Sequence, residues 1–261
     1  MTQFDAISQQ FSRAWIFFIV CLFVFLTAGA LQDSFLLAGQ IIAVLLTALY
    51  YSVVVAVHGW RARVAFLFQP VLLSVTCSTL LLYLEETAFK MILVALLAGL
   101  HAFFLFHLRY ALKDHSLDMR KGLVDSMRIL TQVNMFFLAA VFYAPLFYFN
   151  IRFAFFFALP FFTLSVMLLS TMMWIEEVAP SRRLLLACTA LLLLLEVTLV
   201  EIWLPSSYLV NAFIASVTFF LMYDWFLQAE STPPRTTKDR ILSLLLSAVV
   251  VLCIIVFAQW R

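Results

Sequence analysis

The stretch from Thr189 to Asn211 reads TALLLLLEVTLVEIWLPSSYLVN, an apolar run that contains two glutamates. The run is long enough to cross a bilayer as a helix, which takes about 20 mostly apolar residues. A charged side chain near the centre of such a helix costs about 2.5 to 3.5 kcal/mol on insertion scales. Glu196 and Glu201 must therefore serve either a working site or a structural contact.

The apolar character of this stretch extends over the whole chain. Hydrophobic residues make up 66% of the 261 residues and charged residues 11%, whereas soluble domains contain about 45–50% and about 25%. A fold surrounded by water cannot bury that much apolar surface. Because no water satisfies an open backbone inside a bilayer, spanning segments of this length are expected to be helices. The fold class predicted is all-α, a polytopic transmembrane helical bundle.

Nine segments have the length and composition of a spanning helix, and short stretches rich in charged or turn-forming residues separate them. We expect them to form a single transmembrane helical-bundle domain over residues 1–261. The predicted spans cover residues 14 to 31, 35 to 57, 64 to 84, 90 to 111, 129 to 149, 153 to 175, 184 to 204, 208 to 229 and 241 to 260.

The basic residues predict the orientation of the bundle, because lysine and arginine in short loops stay on the cytoplasmic side. With nine spans and an internal N-terminus, all but three of the 16 basic residues fall inside. The three exceptions are Lys90, Arg152 and Arg261. The chain is therefore predicted to have its N-terminus inside and its C-terminus outside.

Two pairs of similar segments suggest an internal repeat. LLLYLEET at residues 80–87 resembles LLLLLEVT at residues 191–198, and FFLFHLRYAL resembles FFLMYDWFLQ at a similar offset. The interpretation is a parallel four-plus-four repeat of residues 5–112 and 125–229, with residues 241–260 as an extra helix.

Depth separates the two glutamates. Glu201 lies close to the outer end of its span and can reach the interface beside Trp203. Glu196 lies too deep for that, so we expect it to face the bundle and to contact polar groups of other spans. The midplane polar or proton-handling candidates are Glu196, His101 and two hydroxyls of the SVTCST stretch, Thr76 and Ser78. Such a group could relay protons, or it could join helices by hydrogen bonds.

A second candidate site lies at the cytoplasmic rim, where basic side chains could bind anionic lipid headgroups. Its predicted members are Arg61, Arg63, Arg109, Arg182 and Arg183. The expected partners are membrane lipids and other membrane subunits. The net charge of +2, without a long basic run, argues against nucleic acid.

The four cysteines each stand alone in a different apolar segment, which predicts buried thiols without disulfides or metal. We expect no cofactor. No connecting segment is long enough to form a soluble catalytic domain. The function predicted is a non-enzymatic binding, transport or complex-forming component of the plasma (inner) membrane. One alternative is a proton-coupled transporter that uses Glu196 and His101. The other is a membrane-embedded enzyme that acts on a lipid at the cytoplasmic rim.

Overall fold

The computed structural model describes residues 14–31, 33–55, 60–113, 117–149, 154–175, 178–202 and 207–228, and these residues form helices and short turns without any strand. Within these ranges eight α-helices follow one another. They are α1 (Trp15–Leu31), α2 (Asp33–Val54), α3 (Trp60–Leu81), α4 (Thr87–Lys113), α5 (Leu117–Phe149), α6 (Ala154–Ile175), α7 (Pro180–Ile202) and α8 (Tyr208–Gln228).

The eight helices coincide with the first eight predicted spans, apart from a few residues at their ends and the earlier start of α5. Five of them contain runs long and apolar enough to cross a membrane, namely Val64–Leu81, Thr87–Leu108, Gly122–Tyr148, Phe157–Ile175 and Arg182–Glu201. Shorter apolar runs occur at Trp15–Thr27, Ala38–Val54 and Tyr208–Asp224. These helices are compatible with an integral membrane protein. The ninth predicted span, residues 241–260, lies outside the described residues.

Helix α5 begins earlier than the sequence predicted. The charged segment before residue 129 was expected to separate two spans, yet from Leu117 onward it is helical. Leu123, Met127 and Leu130 follow one another at intervals of four and three residues, and all are buried. Because this spacing places them on one helix face, the segment gains from packing and continues the spanning helix at its N-terminal end.

Local sequence signals account for two of the helix starts. Pro180 occupies the first position of α7, where its fixed φ suits the helix and its missing N–H is not needed. Ser207 precedes α8, and its hydroxyl lies 3.4 Å from the backbone nitrogen of Val210. A serine at this position caps the free N–H groups of the first turn.

The chain divides into two compact units, and the boundary between them falls within α5. Unit 1 consists of Met1–Asn134 with Trp174–Glu176, and unit 2 of Met135–Met173 with Glu177–Arg261. In unit 1 the rings of Phe18 and Tyr50 stack with their centroids 4.3 Å apart. In unit 2 the rings of Phe142 and Phe161 stack at 4.5 Å. Each unit therefore has its own aromatic core.

The thiols differ from the expectation at one position. Cys21, Cys77 and Cys188 are free cysteines, and Cys253 lies outside the described residues. Cys77 is buried and Cys21 is partly buried, but Cys188 is exposed. The prediction of a buried Cys188 was wrong, because the face of α7 that carries it has no described neighbour packed against it.

Candidate functional site

His101 lies at the centre of a hydrogen-bonded group that joins three helices of unit 1. Its Nδ1 lies 3.1 Å from the hydroxyl of Tyr51 on α2, and its Nε2 lies 3.0 Å from the hydroxyl of Ser74 on α3. The Ser74 hydroxyl is also 3.0 Å from that of Thr47, which in turn donates to the carbonyl of Ala43 at 2.8 Å. We call Thr47, Tyr51, Ser74 and His101 the His101 cluster.

The Ala43 carbonyl favours one direction for the hydrogen bonds of the His101 cluster. A carbonyl can only accept, so when the proton of Thr47 is used there, Ser74 donates to Thr47. The oxygen of Ser74 then accepts from the Nε2–H of His101. The remaining ring nitrogen, Nδ1, accepts from the hydroxyl of Tyr51. Four protons find four acceptors in this order, which requires the neutral tautomer of His101 with its proton on Nε2.

The cluster is closed by aromatic rings. His101 is 1% exposed, and the ring of Phe18 meets it edge-on with centroids 5.8 Å apart. Tyr51 is fully buried, and its own ring stacks on Phe104 at 5.8 Å. Both nitrogens of His101 are engaged and its ring is enclosed, so the arrangement holds α2, α3 and α4 together.

Thr76 and Ser78, the two hydroxyls of α3 predicted as site candidates, are both buried. Among the described residues, neither side chain has a hydrogen bond to another helix. The Thr76 hydroxyl donates within its own helix, to the carbonyls of Leu72 at 2.9 Å and Leu73 at 3.3 Å. The Ser78 hydroxyl has no hydrogen-bond partner among the described residues. Within the SVTCST stretch, the structure brings Ser74 to His101, whereas Thr76 and Ser78 bind elsewhere or remain unpaired.

A second buried polar group of unit 1 joins α3 to α5. The side chain of Gln69 donates to the hydroxyl of Thr131 at 2.9 Å. The amide of Asn134 donates to both the carbonyl and the side-chain oxygen of Gln69, each at 2.9 Å. All three residues are buried, and we call them the Gln69 cluster. Gln69 directly precedes Pro70, which lies inside α3, so the cluster joins α3 to α5 beside the proline.

Glu201 is buried, which corrects the expectation that it reaches the membrane interface. Its side chain is 1% exposed, and its Oε2 accepts a hydrogen bond from the hydroxyl of Tyr143 on α5. The side chain of Asn211 on α8 donates to the backbone carbonyl of Glu201 at 3.2 Å. Tyr143, Glu201 and Asn211 form the Glu201 cluster, which joins three helices of unit 2.

Glu196 has the opposite orientation to the one expected, because its side chain is exposed. The buried face of α7 consists of Ala190, Leu194, Thr198 and Glu201, which follow at intervals of four, four and three residues. At about 100° per residue, Glu201 lies about 140° around the helix from Glu196. Packing one glutamate inward therefore turns the other outward.

The predicted rim arginines are only partly described. The side chain of Arg182 is exposed, and that of Arg183 is partly exposed. The Nε of Arg183 donates to the carbonyl of Val178 at 2.5 Å, which ties the start of α7 to the preceding turn. The side chains of Arg61, Arg63 and Arg109 lie outside the described part of the molecule, so headgroup binding at this rim stays a prediction.

Several buried polar residues, most of them members of the three clusters, were not among the candidates predicted from the sequence. Gln40, Thr47 and Tyr51 are buried and spaced by seven and four residues, which puts polar groups on one face of α2. Thr131 and Asn134 share a face of α5 in the same way. This periodicity could have indicated the inward faces of both helices. Tyr143 carried no such signal, because its partner is far away in sequence.

Among the described residues, no group of three or more histidine, cysteine, aspartate or glutamate side chains is arranged to hold a metal ion. Comparison with protein families, with curated proteins and with solved structures gives no match for this chain.

Proposed function

We propose that this protein is a non-enzymatic, complex-forming component of the plasma (inner) membrane. In this proposal the chain is one multi-pass domain of nine spans, with its N-terminus inside and its C-terminus outside. Its partners are membrane lipids and at least one further membrane subunit. The four-plus-four repeat stays part of the same proposal.

The observation that carries the proposal is the exposed carboxyl of Glu196 on an apolar spanning helix. About 9 Å of helix separates Glu196 from the end of α7 at Ile202, at 1.5 Å per residue. The surrounding exposed side chains are hydrocarbon, including Leu192, Leu199 and Val200. An ionisable group at such depth is expensive when it faces lipid. A partner helix that offers a hydrogen bond would remove that cost.

The buried clusters support the same interpretation. The hydrogen bonds of the His101 and Glu201 clusters each join three helices within one unit. Hydrogen bonds between membrane helices contribute about 0.6 to 2 kcal/mol each. Polar groups used in this way hold helices in place, so that α7 can present a fixed surface to another subunit.

The first test compares assemblies extracted from native membranes in polymer nanodiscs. The protein should have a mass well above the 29.9 kDa of one chain. Glu196→Leu should reduce the assembled fraction several-fold, because it removes the polar contact, whereas Glu196→Gln should preserve assembly, because the amide still donates and accepts. Glu86→Gln, in the exposed turn before α4, is the matched control and should behave as wild type.

The proposal is wrong if the protein remains a single chain in these membranes. It is equally wrong if Glu196→Leu leaves the assembled fraction unchanged, because the carboxyl would then have no partner to lose.

A further inference from the structure

The exposed face of α7 carries a regular stripe of side chains. Its members are the partly exposed Thr189 and the exposed Leu185, Leu192, Glu196 and Leu199, and we call them the α7 outer stripe. The intervals are four, three, four and three residues, which average 3.5. This is the repeat with which two helices pack along a left-handed seam. In membranes most helix pairs cross in the same left-handed geometry, at about +20°.

The stripe lies opposite the packed face of the helix. At 100° per residue, the stripe and the buried face formed by Ala190, Leu194, Thr198 and Glu201 are centred roughly 180° apart. Leu185, Leu192 and Leu199 are 67%, 61% and 53% exposed, so more than half of each leucine is uncovered. Glu196 lies within this line of leucines, at a position that would face a partner helix directly.

We propose that the α7 outer stripe is the interface between two copies of this chain, with the Glu196 side chains hydrogen-bonded to each other across a two-fold axis. This inference rests on the proposed function and names its partner. Two copies inserted in the same orientation present parallel α7 helices, and a two-fold interface places each residue opposite its own copy. The second copy therefore brings a carboxyl group to the same depth.

The chemistry of a carboxyl group favours a second copy of this chain as the partner of the α7 outer stripe. When protonated, a carboxyl both donates and accepts hydrogen bonds, so it can pair with an identical group. A lipid chain offers Glu196 no hydrogen bond. The predicted span at residues 241–260 has two hydroxyls, Ser243 and Ser247, near its cytoplasmic start and Gln259 at its outer end. Glu196 lies between these depths, where that span offers only the thiol of Cys253, a weak donor and acceptor.

The experiment uses the full chain without its four natural cysteines, reconstituted in liposomes and oxidised. Leu192→Cys and Leu199→Cys place single thiols on the α7 outer stripe and should give a cross-linked product of twice the chain mass. Leu191→Cys is the matched control, because Leu191 is 36% exposed but lies on the flank of the helix. It should cross-link at least several-fold less.

A second measurement tests the carboxyl pair. Energy transfer between donor- and acceptor-labelled copies in liposomes gives the dimerisation constant at varied protein-to-lipid ratios. Glu196→Leu should weaken dimerisation roughly threefold to thirtyfold, the effect of one interhelical hydrogen bond. Glu196→Gln should remain within about threefold of wild type, since two amides can also bond each other.

The outcomes separate this inference from the proposed function. If the stripe thiols cross-link in native membranes to a protein of another mass, the partner is a different subunit; the inference fails and the proposed function stands. If the thiol of Leu192→Cys instead joins a restored Cys253 of the same chain, residues 241–260 cover the stripe and both fail. The inference alone fails if no cross-link and no energy transfer occur in liposomes, and both fail if the stripe thiols also form no cross-link in native membranes. Equal cross-linking of Leu191→Cys and Leu192→Cys would overturn the stripe as the interface.

Discussion

His101 shows how one backbone carbonyl can determine the state of a buried side chain. Because Ala43 accepts from Thr47, one direction of the later hydrogen bonds satisfies every member of the His101 cluster. The opposite direction would move the Thr47 proton from the Ala43 carbonyl to Ser74, and the hydrogen bond to Ala43 would be lost. A proton relay requires a chain that can reverse, so this arrangement favours a structural role for His101 over the carrier alternative.

A residue-scale prediction follows from Ser74. Ser74→Ala should lower the free energy of unfolding by about 1 to 3 kcal/mol, because it leaves the Nε2–H of His101 without an acceptor and Thr47 without a donor. Thr76→Val is the matched control on the same helix. Its hydroxyl bonds only to the backbone of its own helix, so the substitution leaves no other side chain without a partner and should cost clearly less than Ser74→Ala. Equilibrium unfolding in mixed micelles measures both variants.

Equal losses in the two variants would contradict the assigned hydrogen bonds. Nuclear magnetic resonance of labelled imidazole nitrogens provides an independent check, since the cluster requires the proton of His101 to reside on Nε2.

At the scale of the element, α5 shows that charge does not by itself end a helix. Asp125 and Arg128 form an ion pair at 3.3 Å on consecutive turns, while Ser126 and Met127 beside them are buried. The charged side chains lie on the outer face and the apolar ones on the inner face. A segment that reads as a break in hydropathy therefore continues as an amphipathic helix.

The extension of α5 can be tested at Gly122. A helix with glycine at an interior position is less stable than the same helix with alanine, by about 0.5 to 1 kcal/mol. Gly122→Ala should therefore raise the free energy of unfolding of the protein by up to that amount. The new Cβ would lie 3.4 Å from Cδ2 of His107, an ordinary contact. Gly99→Ala, in the interior of α4 with nothing within 4 Å of the new Cβ, is the control.

We expect both alanine variants to be stabilised, as measured by the same unfolding titration. A gain at Gly99 without any gain at Gly122 would argue that residues near 122 do not form a helix in the membrane.

At the scale of the whole molecule, the two units each combine an apolar core with buried polar links between helices. In unit 1 the links connect α2, α3 and α4, and α3 to α5. In unit 2 they connect α5, α7 and α8. Dispersion and hydrogen bonding hold helices together in a bilayer, where burial of hydrocarbon gives little. The polar links therefore contribute a larger fraction of the interaction energy between helices than they would in a soluble protein.

The proposed orientation makes a prediction about exposed turns. Glu86 lies in the turn between α3 and α4 and Ala179 in the turn before α7, and both are exposed. In a background without natural cysteines, Glu86→Cys should react with an impermeant thiol reagent added to intact cells. Ala179→Cys should react only after the membrane is opened. Labelling of Ala179→Cys from outside would reverse the orientation inferred from the basic residues.

The sequence by itself determined where the helices lie, because the thickness of a bilayer sets the length of an apolar run and that length is a local property. Eight predicted spans correspond to α1 to α8 for this reason, and only the charged start of α5 departs from them. The spacing of polar residues indicates the inward faces of α2 and α5, but the inward face of α7 was decided by tertiary contacts alone. In α7, leucines occur on every side, so hydropathy cannot distinguish the buried face from the exposed one. The choice between Glu196 and Glu201 depended on Tyr143 and Asn211, which other helices bring to Glu201 and which sequence spacing does not reveal.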